Sequence, residues 1–206
     1  PEQSLGRTIL GPAERIQAFR RADLSRFVQE NYGPGQMILS AAGDVDHAEI
    51  VAQAEALFGD MQPVSQIQAG SAKFIGGESR VVKTLEQAHI AIGFESPNYM
   101  HDESYVAQVY ASALGGGMAS RLFQEVREKR GLCYTIFAQA GAYTDTGMTT
   151  IYAGTVGNQV ADLARITIDE MKRAAEDFSE IETTRAKSQM KAGLLMGLEG
   201  PSSRAE

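Results

Sequence analysis

Arg127 and Tyr134 stand on either side of Gly131, in the stretch SRLFQEVREKRGLCYTIF that spans residues 120–137. A guanidinium offers N–H donors in a rigid fork, and a phenol adds one O–H. Two such groups within reach of a common point could be held over a reaction. Spacing alone leaves a plainer reading beside this one. Glu125 and Glu128 share the helix with Arg127, and an arginine so placed is often only a solvated ion-pair partner.

Other chemistry is weaker. His47, His89 and His101 are far apart and form neither H-x-x-E-H nor H-x-x-x-H. Zinc needs three or four ligands together at ~2.0–2.2 Å, so the sequence supplies no metal site of its own. The glycines of LGGGMASRL, residues 114–122, precede a helix and could expose N–H groups to an anion or a peptide. The Lys-Ser/Thr of a phosphate loop is missing there, and a tight helix-to-helix connection is the simpler role. Cys133 is the single cysteine. It can form no intrachain disulfide, has no neighbouring histidine, and reads as a packed thiol.

The elements that must position Arg127 and Tyr134 follow from periodicity. Leu122, Phe123 and Val126 make the apolar stripe of a helix over residues 120–130, with Arg127 at its edge. Lys129 and Arg130 suit the last turn, and Gly131 suits the stop. A strand over 132–143 follows, with Leu132, Tyr134 and Ile136 on one face and Cys133, Thr135 and Phe137 on the other. Residues 148–155 make its hairpin partner, joined through Thr-Asp-Thr-Gly with Gly147 offering positive φ.

Around this corner the sequence predicts strands at 80–85 and 88–94. A helix is expected at 103–114 with Val106, Val109, Tyr110 and Ala113 inward. Another at 159–175 carries Val160, Leu163, Ile166, Ile168 and Met171, and one at 179–198 opens with a Ser179/Glu182 capping box. Upstream, a helix at 21–32 ends at Gly-Pro-Gly, and residues 36–43 read as a buried strand. A helix capped by Asp46, with Glu49 three residues on, then buries Ile50, Val51, Ala54 and Leu57 before Gly59. Residues 62–77 lose periodicity and read as a linker. Strand pairs followed by helices imply an α+β two-layer sandwich, an antiparallel sheet with helices on one face.

The 206 residues are 43% hydrophobic and 22% charged, enough for one large domain or parts of two. With a formal net charge of −7 and no dense basic block, a nucleic-acid or anionic-membrane surface is not expected. No apolar run approaches a membrane span. The chain starts at Pro1 and closes on GPSSRAE, which reads as a fragment of a longer product.

The segment LGGGMASRLFQEVREKRGLCYTIFAQAGAYTDTGMTTIYAGT, residues 114–155, resembles the second domain of the insulinase/pitrilysin-type zinc metallopeptidases. That family includes the mitochondrial processing peptidases, respiratory-complex core proteins and many bacterial zinc proteases. Its R-x-K-x-x-L-x-Y pattern falls on Arg127, Lys129, Leu132 and Tyr134. LGRTILGPAERIQAF and RADLSRFVQENYGPGQMILSAAGDVDHAEI resemble the family's first domain after its zinc site. The resemblance implies the end of a first, zinc-type domain at 1–62, a linker at 63–78, and a homologous substrate-gripping domain at 79–206, truncated at its C-terminus.

The resemblance further implies a zinc endopeptidase in which Arg127 and Tyr134 hold the peptide carbonyl. Zinc in the full-length protein would come from an H-x-x-E-H segment this sequence lacks, so the fragment alone is expected to bind no catalytic zinc and cleave nothing. The implied partners are a peptide substrate and a zinc-bearing N-terminal region or partner subunit, with a dimer compatible with either. A non-catalytic partner subunit of a two-chain enzyme is the alternative, and an unrelated α+β binding module is a third. The acidic balance would attract basic peptides. A bacterial setting leaves cytoplasm and periplasm both open.

Overall fold

The computed structural model describes residues 2–65 and 70–206. Residues 66–69 of the expected linker lie outside the described residues. The chain divides into two compact units, Pro1–Gly70 with Leu194–Glu206, and Ser71–Gly193.

In the first unit α1 (Ala13–Ala18) and α2 (Arg21–Asn31) lead to α3 (His47–Phe58). The Asp46 side chain caps α3 by accepting the Glu49 N–H at 3.0 Å, as its sequence position predicts. Two expectations fail here. Residues 36–43 form no strand, and Ile38 is 95% exposed. An apolar run becomes a strand only when its N–H and C=O groups find a partner, and no described residue pairs with it. The stripe on α3 is likewise not buried: Ile50 and Ala54 are half-covered, and Val51 and Leu57 are exposed.

The second unit contains the sheet. β1 (Ala88–Ser96), β2 (Thr135–Ala142) and β3 (Gly147–Thr155) are antiparallel in the order β1-β3-β2. Ile90 stands opposite Ala153, which stands opposite Ile136, and Ile92, Ile151 and Ala138 form the next row. These alternate positions face the helices α4 (Ser104–Gly115) and α5 (Val160–Asp177). Ile136, Ala138, Ile151 and Ala153 join Leu114, Leu122, Val126, Leu163 and Ala174 in one core. The other sheet face carries His89, Phe137 and Tyr152, with the Phe137 and Tyr152 rings 5.2 Å apart. The architecture is the expected α+β layering of an antiparallel sheet and helices.

Details depart from the alternation rule for physical reasons. Residues 80–85 do not pair, and Val82 is 90% exposed. On α4, Val106 is exposed while Ala111, Leu114 and Gly115 are buried. On α5 the buried stripe is Leu163, Thr167, Glu170 and Ala174, so Ile168 lies outside it. Gly147 has no positive φ. Its value is space, because a Cβ there would stand 2.1 Å from the Pro97 carbonyl oxygen. α6 (Glu180–Gly197) begins with the predicted capping box: Glu182 N–H donates to Ser179 Oγ, and Ser179 N–H donates to Glu182 Oε2. α7 (Pro201–Ala205) closes the chain.

Candidate functional site

The helix over residues 120–130 is not a regular α-helix. Phe123–Glu128 runs in π register, and the Lys129 N–H donates to the Gln124 carbonyl at 3.0 Å, five residues back. A π turn inserts one residue into the helical circuit and recurs at functional sites. The helix end keeps that extra residue. Leu132 N–H donates to Val126 O and, nested inside, Gly131 N–H donates to Arg127 O, each one residue wider than in a Schellman end. Gly131 takes φ +62°, as its stop position predicts. Gly131→Ala is expected to cost about 1 kcal/mol in chemical denaturation, with Gly131→Asn milder because asparagine tolerates this region better.

After the turn, the chain bends at Tyr134 before β2 starts at Thr135. The expected sharing of one strand face by Leu132, Tyr134 and Ile136 therefore does not hold. Cys133 and Ile136 go into the core, and Tyr134 is 74% exposed. Burial pushes the Cys133 thiol up, against a smaller opposing pull from Arg127. A thiol held neutral in this way is a poor nucleophile.

The corner brings Arg127 and Tyr134 together. The Arg127 guanidinium carbon lies 5.0 Å from the Tyr134 ring centroid and 4.4 Å from that of Phe123, so it has an aromatic ring on each of two contacts. Its one ion pair among the described residues is a loose 3.7 Å approach to Glu128. Neither its N–H groups nor the Tyr134 hydroxyl makes a hydrogen bond among the described residues.

The other cations of this helix behave differently. Lys129 and Arg130 both bind Glu125, whose carboxyl is held below its usual range first by the Lys129 hydrogen bond and then by Arg130. Arg121 forms two hydrogen bonds to Glu182, at 2.9 and 2.8 Å, and also contacts the Asp177 carboxylate. Its guanidinium carbon is 4.7 Å from the Phe178 ring centroid. Its donors are consumed in structure. Neither Phe123 as a ring against Arg127 nor Arg121 as an anchor was marked by the sequence reading. Phe123 stands four residues before Arg127, a spacing that could have pointed to the contact.

The histidines do not assemble a zinc site. His89 Nδ1 and the Tyr152 hydroxyl are 2.8 Å apart in a hydrogen bond, and His101 Nδ1 accepts the Glu103 N–H. Among the described residues no group of three or more His, Cys, Asp or Glu could hold a metal. The described residues therefore do not fit a catalytic zinc ion. The glycine-rich loop is consumed locally: Ser120 Oγ donates to Gly117 O, Gln124 to Met118 O, and Arg185 to Ala119 O. No described helix is long and apolar enough to cross a membrane.

The unit is a two-layer α+β fold, an antiparallel sheet with helices packed on it. The family model described as the peptidase M16 inactive domain matches residues 18–190, and the chain belongs to that family. It is 39% identical over 206 residues to an uncharacterized zinc protease of Rickettsia bellii, covering 100% of this chain and 50% of the relative. An uncharacterized zinc protease of Mycobacterium tuberculosis is 35% identical over 212 residues, covering 98% and 48%. The chain thus spans about half the length of the curated relatives it matches.

Solved structures agree on the fold. A protease from Helicobacter pylori superposes with TM-score 0.81 at 20% identity, over 95% of this chain and 50% of the other. A peptidase M16 inactive domain from Pseudomonas fluorescens gives 0.72 at 21%, over 89% and 45%.

Proposed function

We propose that this chain is the substrate-gripping part of a zinc-dependent endopeptidase, in which Arg127 and Tyr134 donate hydrogen bonds to the carbonyl of a bound peptide. The observation that carries the reading is donor availability. Arg127 is held by ring faces and a loose carboxylate, so its N–H edge is left to a ligand. The phenol of Tyr134 stands in solvent on the same corner. Together they can bind a carbonyl oxygen and the charge that develops on it, a role in which one donor is worth roughly 2.7–4 kcal/mol.

The domain reading belongs to the same proposal: residues 1–62 end a zinc-type domain, 63–78 link, and 79–206 form the gripping domain. No residue of this chain is assigned to zinc. The metal would be supplied by a zinc-bearing N-terminal region or by a partner subunit, and once bound there would activate water.

Mixing the chain with a zinc-bearing first half is expected to restore cleavage of a peptide. Arg127→Ala should lower kcat/KM on the order of 10²-fold, with little change in the unfolding midpoint, because the side chain is partly exposed and loosely paired. Unchanged turnover in that variant would sink the assigned role. If the chain restores cleavage only as a separate subunit that is not continuous with a zinc motif in its own gene, the partner-subunit reading replaces the single-chain one.

A further inference from the structure

We infer that Phe123 is a positioning residue for Arg127: its ring holds the guanidinium by its face and so leaves the N–H edge free for the peptide. This rests on the proposed role of Arg127. The geometry has two parts. Phe123 and Tyr134 present ring centroids 4.4 and 5.0 Å from the guanidinium carbon, both within the ~6 Å reach of a cation–π contact. Phe123 also belongs to the π-register segment Phe123–Glu128 that carries Arg127.

The choice of an aromatic holder has a chemical reason. A carboxylate fixes a guanidinium by taking its N–H groups, as Glu182 does with Arg121 and Glu125 with Arg130. An arginine fixed that way has fewer donors left for substrate. A ring binds the cation through its π face and uses no hydrogen bond. It restricts the long side chain before the ligand arrives, which lowers the ordering cost of binding.

Phe123 is half-buried, whereas Leu122 and Val126 beside it are fully buried. Core packing therefore falls to those two residues, and the ring is partly spent on Arg127. Tyr134 holds the other contact but, at 74% exposure, has little packing of its own to keep the cation in place.

The test separates this inference from the role of Arg127. In the chain alone, nuclear magnetic resonance of the Arg127 Nε–H group should show a ring-shifted, rigid signal. Phe123→Leu should remove the larger part of that ring shift and raise the mobility of the group, leaving only the contribution of Tyr134, while Phe123→Tyr retains both. An unchanged Arg127 signal in a folded Phe123→Leu chain would overturn the inference. In the reconstituted peptidase, Phe123→Leu should lower kcat/KM about fivefold to tenfold, and Phe123→Tyr should restore it. The same substitution in an Arg127→Ala background should have no further effect, since a residue acting through Arg127 is coupled to it. An equal loss in both backgrounds marks Phe123 as merely structural and overturns the inference. If Arg127→Ala alone loses nothing, the gripping role has failed, and the resonance measurement still decides whether Phe123 holds Arg127.

Discussion

Arg121→Met is expected to lower the unfolding free energy by about 3–5 kcal/mol at neutral pH, the cost of breaking a largely buried ion pair from one side. The Arg121 side chain is 10% exposed and that of Glu182 20%. Methionine keeps apolar contact with Phe178 but leaves the Glu182 carboxylate, still bonded to Ser179, without its cation. The pair also fixes α6 against the helix that carries Arg127, so its loss should be felt across the second unit.

The sign of the pH dependence follows from Glu182. The Arg121 hydrogen bond, opposed by burial and helped by Ser179, lowers its pKa from 4.5 to about 2. A carboxyl depressed on folding contributes stability that is fully present above its unfolded value and is lost as pH falls through the folded one. Between pH 4.5 and about 2 the wild-type chain should therefore lose roughly 3 kcal/mol from this group. Arg121→Met should flatten that slope, and urea titrations at several pH values read both effects. A variant as stable as wild type at pH 7, or one with the full acid slope, would show that the pair contributes little.

The same residue shows what the sequence could and could not say. Ser179 and Glu182 announce a capping box because the signal is local, three residues long and chemically specific. That Glu182 also receives Arg121 depends on a contact across 61 residues, for which one sequence has no sign. Helices α4 and α5 and both strands of the hairpin β2-β3 were legible from their period, and α6 from its capping box, whereas Gly147 serves the turn without the positive φ expected of it.

The strand expected at 36–43 rested on an apolar run between glycines, and the one at 80–85 on its place before a Glu86-Gln87 turn. Such local signals say that a segment prefers extended backbone, while pairing requires a neighbour. At the candidate site, the approach of Arg127 to Tyr134 was readable from Gly131 and the helix stop. The π register and the bend at Tyr134 were not. Both depart by one residue from a regular period, and a period read from sequence averages over such a step. The result is that Tyr134 turned outward beside Arg127 instead of sharing a strand face with Ile136, which sharpens the chemical case for the pair.

Gly115→Val is expected to be the most disruptive single change on the glycine-rich loop, lowering the melting temperature by roughly 10 °C or more. Gly115 ends α4 where the helix meets β2, and a Cβ there would lie 2.4 Å from Ala138 N and 2.7 Å from its Cβ. The first obstacle is backbone, held in the β2-β3 ladder with Ala138 opposite Ile151, so no rotamer change relieves it. Helix and strand must separate. That opens the core where Leu114, Ala138 and Ile151 are all buried, and overpacked cores of this kind lose about 1–3 kcal/mol or more.

Gly131→Val offers the control, because a Cβ at Gly131 meets nothing within 4 Å and only its φ of +62° resists a side chain. If Gly115→Val melts within a few degrees of Gly131→Val, close helix–sheet approach is not what the first glycine of the triplet provides. If it melts far lower, as this spacing requires, the triplet is built first for packing, and the corner bearing Arg127 and Tyr134 depends on how closely α4 lies on the sheet.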